Sequence, residues 1–284
     1  MSAETPVALR AAAAKPTPTS RMPRRGLLVA FLAALLAVGS LAAAPAPASA
    51  AGVKVAIVVG PAGSLTGTYL RAARGYAAQA RSYGATVVEV YTPNATWARV
   101  RSAVQGANLL VLLGHGNGFP NPYNATLTPL KVDGFGLNGS PGSGNVRTTY
   151  FGEYYVRTQV KLAPNAVVIL NHLCYSAGNS EPGRAAPTAK VAKQRIDYYA
   201  SGMMKTGARA VFAEPKGSAG YILTGLFKSS KTLRQVFLDH GAAPTTFNST
   251  RVPGATATAK LTVRALTTFA NITAAEFRAA GSTP

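Results

Sequence analysis

Two short apolar runs constrain this chain more than any other feature. NLLVLLGHGNG, residues 108–118, delivers His115 between two glycines, and AVVILNHLCYSAG, residues 166–178, delivers Cys174, the only cysteine in the chain. Neither run alternates apolar with polar, and turn residues bound both. That is the pattern of a strand buried on both faces, which requires a parallel sheet with helices packed on each side. In such sheets chemistry gathers beyond the carboxyl ends of the strands. His115 and Cys174 both fall at that edge.

The same alternation runs through the rest of the chain. VKVAIVVG (53–60), TVVEVY (86–91) and ARAVFAE (208–214) read as further strands, making five with the two above. Residues 64–84 read as a helix with Leu65, Tyr69, Tyr76, Ala80 and Tyr83 on one face and Arg71, Arg74 and Arg81 on another. Thr92-Pro93 reads as a helix entry, with Trp97, Val100 and Val104 turned inward after it. Residues 191–207 predict a helix ending at Gly207, and 221–241 one or two helices. Near the end, TAKLTVRAL reads as one strand and Thr273-x-x-Glu276 as a capping box. Residues 117–164 form a long insertion, of which 117–150, with Phe119, Tyr123 and Phe135, are expected to fold over the crevice as a lid or specificity wall. The implied class is α/β, a three-layer sandwich with a mainly parallel sheet of Rossmann-like kind. The dinucleotide spacing is absent and no lysine stands where a phosphate loop needs one, so no cofactor is expected.

Residues 1–50 carry a basic region, an apolar run and the small-residue site Ala48-Ser49-Ala50, the pattern of a signal peptide cleaved after Ala50. Arg24-Arg25 admits the twin-arginine route beside general secretion. A single secreted domain of residues 51–284 is then expected, bacterial in character, with no membrane span after cleavage. The formal charge of the whole chain is +20. A chain this basic should hold to anionic surfaces, a cell-wall polymer among them. No zinc-finger, RNP-type or basic-heptad pattern points to specific nucleic-acid binding.

A secreted chain with one cysteine has no internal disulfide framework. Cys174 is therefore either an inert core residue or a thiol kept for reactivity. A free thiol titrates near about 8.5. An adjacent His115 would take its proton, raise its thiolate fraction and speed its alkylation near neutral pH. The N–H groups of Gly116 and of Cys174 itself could form an oxyanion hole. Glu214, at the end of the fifth strand, is a candidate for substrate contact. Two other readings stay open. His115, His172 and Cys174 could hold a metal as a hydrolase site, or the chain could be a basic, wall-associated binding domain with no catalysis.

Gly114-His115-Gly116 and His172-Leu173-Cys174-Tyr175-Ser176-Ala177-Gly178 resemble the caspase-like cysteine peptidases, the group of metacaspases, legumains and gingipains. There one buried strand ends in His-Gly and a later neighbour ends in the nucleophilic cysteine, followed by small residues. Here the two are 59 residues apart, against a caspase gap of about 50. The resemblance spans residues 53–214 and implies a caspase-like sheet, a peptide or protein substrate and a Cys174–His115 dyad without a metal. It also exposes a departure. Metacaspase-like members carry an acidic residue two before the cysteine, which binds a basic substrate side chain. Here that position, in the substrate pocket, is His172.

Overall fold

Valine, isoleucine and leucine dominate the strands because a β-branched or bulky side chain packs well on a pleated, covered surface. In the computed structural model, which describes residues 52–124, 126–241 and 244–281, these runs form the centre of an eight-stranded sheet. The expected leader lies outside the described residues. Strands β1 (Lys54–Val59), β2 (Thr86–Tyr91) and β3 (Leu109–Leu113) come first. The insertion contributes a separate two-stranded hairpin, β4 (Phe135–Leu137) with β5 (Thr149–Phe151). Next are β6 (Val167–Asn171) and β7 (Ala210–Glu214), then β8 (Thr245–Asn248), β9 (Ala255–Lys260) and β10 (Arg264–Phe269). The sheet order is β2-β1-β3-β6-β7-β10-β9-β8. The first five strands pair in parallel and the last three extend the sheet antiparallel.

Alternate residues of each central strand feed two separate cores, which makes the architecture three-layered. Ala56, Val58, Leu110, Leu112, Val168 and Leu170 face one core, covered by α2 (Trp97–Val104), α3 (Glu153–Gln159) and α4 (Ala189–Met204). Val55, Ile57, Leu109, Val111, Val167 and Ile169 face the other, beneath α1 (Thr66–Ser82), α5 (Gly220–Lys228), α6 (Leu233–Leu238) and α7 (Ala274–Ala279). Each fully buried aliphatic side chain contributes about 1.5–3 kcal/mol, so this double burial holds the strand ends in fixed register. The capping box at Thr273 and Glu276 is present. Among the described residues no helix is long and apolar enough to cross a membrane.

Three expectations are corrected. Thr92-Pro93 does not open a helix: that peptide bond is cis, and α2 starts at Trp97 behind Thr96. TAKLTVRAL is not one strand but the two arms of the β9–β10 hairpin, reversed at Thr262 with φ +64°. The insertion is a packed element rather than a loose lid, although Tyr123 is exposed and bonds Glu181 at the cleft wall. Its hairpin crosses the carboxyl ends of β1 and β3, so closely that a Cβ on Gly60 would fall 2.0 Å from the Gly136 carbonyl oxygen. Phe135 is buried in the core, and Phe119 packs on Tyr198 of α4.

Candidate active site

Strands β3 and β6 are parallel neighbours, with Leu113 in register with Asn171. His115 stands two residues beyond one end and Cys174 three beyond the other. Gly116 sits directly against the cysteine backbone: a Cβ placed on it would lie 2.0 Å from the Cys174 carbonyl oxygen and 2.7 Å from its nitrogen. No other residue type permits that approach. Among the described residues neither the Gly116 N–H nor the Cys174 N–H donates a hydrogen bond within the protein.

The turn that carries Cys174 is strained and clamped. His172 and Tyr175 both have left-handed backbones, at φ +60° and +71°, each costing about 1–3 kcal/mol. Asn171 offsets part of this. Its side-chain amide donates to the carbonyls of Glu214 (2.7 Å) and Gly217 (2.8 Å), and its oxygen accepts from Tyr76 Oη. The His172 N–H donates to the Glu214 carbonyl at 2.9 Å. Behind the turn, Arg195 donates to the carbonyls of Asn179 and Pro120, tying the Cys174 loop to the His115 loop. A buried guanidinium spanning both loops fixes their spacing from α4.

Cys174 is half-buried in the wall of a cleft of about 360 Å³. His172 lines the same cleft, its ring stacked on Tyr69 of α1 at 4.8 Å. His115 is exposed and does not line it. Glu214 emerges at this sheet edge but turns inward: it is buried, accepts from Tyr221 Oη and lies 3.9 Å from Arg264. Its carboxyl is thus occupied within the fold. Among the described residues no group of three or more His, Cys, Asp or Glu side chains is placed to hold a metal ion, so His115, His172 and Cys174 do not form a ligand set.

The residue missed by sequence reading is Glu181. It lines the cleft with Cys174 and accepts from Tyr123 Oη at 2.7 Å. Its negative charge reaches both Cys174 and His115, pushing both pKa values up. At His115, solvent-accessible though it is, desolvation by the protein packed around the ring outweighs Glu181 and lowers the imidazole, so the ring is neutral at pH 7 and free to accept a proton. At Cys174 burial and Glu181 act together and push the thiol up from 9.0 to about 11. This corrects the expectation of a thiol activated at rest. Iodoacetamide is expected to label native Cys174 about a hundredfold more slowly at pH 7 than a free thiol, because so little thiolate is present. The rate should climb with pH toward about 11, and Glu181→Gln should raise it at every pH below that. Labelling as fast as a model thiol near neutrality would contradict this account.

Comparison with models of protein families gave no match, and comparison with curated proteins gave none. Among solved structures, the chain is similar to a chain of the Saccharomyces cerevisiae separase–securin complex, at 16% identity and a TM-score of 0.30. The match covers 61% of this chain and spans 9% of the length of that one.

Proposed function

We propose that this protein is a secreted, caspase-like cysteine hydrolase that cleaves peptide bonds with Cys174 and His115. The observation that carries the reading is the seating of Gly116 on the Cys174 backbone, with neither residue's N–H donating to another group among the described residues. In the proposed reaction the Cys174 sulfur attacks the substrate carbonyl carbon while His115 takes the thiol proton. The carbonyl oxygen gains the negative charge and is stabilised by the Gly116 and Cys174 N–H groups. The C–N bond then breaks, and His115 returns the proton to the leaving amine. Water, deprotonated by His115, hydrolyses the thioester and restores the thiol. Because the resting thiol is protonated and the resting imidazole neutral, proton transfer accompanies attack instead of preceding it.

Export through the 1–50 leader and adhesion to an anionic wall polymer belong to the same proposal. The chain carries 29 basic against 9 acidic residues, and among the described residues only four ion pairs form. Among the described residues most cations are therefore exposed and outside these ion pairs. Incubating the leaderless protein with a peptide library tests the catalytic reading. Cleavage is expected from the wild type and absent from Cys174→Ala, with His115→Ala slower by about a thousandfold. Equal cleavage by wild type and Cys174→Ala would refute it.

A further inference from the structure

The cleft beside Cys174 has the chemistry of a specificity pocket for one uncharged, bulky side chain. Its inner surface is largely carbon. Tyr69 and His172 present stacked rings, with centroids 4.8 Å apart and planes within 4° of parallel, and the rings of Pro182, Pro187 and Pro215 complete the walls. A space of about 360 Å³ accommodates a single large side chain. The charged side chains that line it are Glu181, Arg184 and Lys216. Arg184 and Lys216 are exposed, so a substrate carboxylate pairing with them would stay in water and gain little. Glu181 is already engaged by Tyr123 Oη, and the position that would face a basic substrate group is the imidazole of His172. Burial lowers the pKa of that ring, which keeps it uncharged at neutral pH.

We propose that the stacked pair Tyr69–His172 is the specificity-determining floor of this cleft, and that the enzyme acts on peptides with phenylalanine, tyrosine or leucine before the scissile bond. A flat aromatic floor rewards an aromatic or branched aliphatic side chain through offset stacking and desolvation. It offers no buried cation to an aspartate, and the one carboxylate in its wall, Glu181, is half-buried and already accepts from Tyr123 Oη, so a charged side chain gains less there than it loses in desolvation. The inference rests on the peptidase reading above.

The test uses three tripeptidyl chloromethyl ketones, with Phe, Asp or Arg next to the reactive group, and reads alkylation of Cys174 by mass spectrometry at pH 7. The Phe reagent is expected to react about tenfold or more faster than the other two, the discrimination a shaped apolar pocket delivers. Tyr69→Ala should collapse that ratio toward one. Tyr69 lies on the helix α1, where alanine fits without backbone strain. His172→Asn, whose residue tolerates the left-handed backbone, provides a second probe of the floor. If the Asp or Arg reagent reacts fastest, or Tyr69→Ala leaves the ratio intact, the specificity inference falls and the peptidase reading stands. If no reagent modifies Cys174 in the native protein, both fall.

Discussion

Gly116→Ala is expected to lower peptide turnover by about a hundredfold to a thousandfold, the loss seen when an oxyanion donor is displaced. The added methyl carbon has nowhere to go. Its ideal position is 2.0 Å from the carbonyl oxygen of Cys174, 2.7 Å from its nitrogen and 2.9 Å from its carbonyl carbon. All three are backbone atoms, so no rotamer change relieves the overlap. The segments that follow β3 and β6 must part, which displaces both proposed N–H donors. A shift of about 1 Å at a reacting centre costs on the order of a hundredfold by misplacement alone. Gly75→Ala is the matched control. It sits in α1 with nothing within 4 Å of the new Cβ, and alanine there should stabilise the helix by about 1 kcal/mol. Turnover on a cleaved peptide, read beside the thermal midpoint, separates the two variants. Full turnover by Gly116→Ala would show that the Gly116–Cys174 contact is not the site of charge stabilisation.

The central sheet was legible because its signal is local. Runs such as LLVLL and VVILN have no polar residue to place outward, so their burial on both faces follows from composition alone. The antiparallel extension was not legible in the same way. The β9–β10 turn uses Leu261-Thr262-Val263, with no glycine, asparagine or proline to mark it. Strand β8 is an exposed edge of four residues with no apolar face. Thr92-Pro93 carried a genuine entry signal that tertiary contacts override. The Ala95 N–H is taken by the side chain of Asn138, and Gly142 donates to the Pro93 carbonyl, so the insertion holds this segment in a turn instead of a helix.

The site divides along the same line. His115 and Cys174 stand at strand ends, and a strand end is visible in sequence. Glu181 reaches the cleft only because Arg195, on α4, folds residues 178–180 back against the His115 loop. Tyr69 and His172 meet from distant parts of the chain because the amino end of α1 lies beside the end of β6. The resting state of the thiol was misjudged for a related reason. Pairing with a histidine can be read from spacing, whereas desolvation depends on how much protein closes around the sulfur.

Arg251→Met should destabilise the fold by about 3–5 kcal/mol, the penalty for leaving one member of a buried ion pair unpartnered. Arg251 donates through Nη2 to both carboxylate oxygens of Glu153 at 2.8 Å and through Nε to Ser201 Oγ at 2.8 Å, and its guanidinium covers the Tyr198 ring at 4.0 Å. The Glu153 side chain is 5% exposed, so without Arg251 its charge has no access to water. Ser249 and Thr250, just before it, both bond Asp197. The segment entering β9 is therefore fastened to α4 through Asp197 and to α3 through Glu153. The α4 helix also holds the Cys174 loop through Arg195, and the insertion through Arg195 and through Tyr199 Oη on the Gly134 carbonyl. The double variant Arg251→Met with Glu153→Leu removes both charges and should recover most of the loss, because an apolar pair of similar volume needs no desolvation. Chemical denaturation of the two variants reads the difference directly. If Arg251→Met alone proves as stable as the double variant, Glu153 has found another partner and the pair does not anchor the segment. Turnover per folded molecule should stay near wild type in Arg251→Met, since the guanidinium supports the loop through α4 and touches no reacting atom.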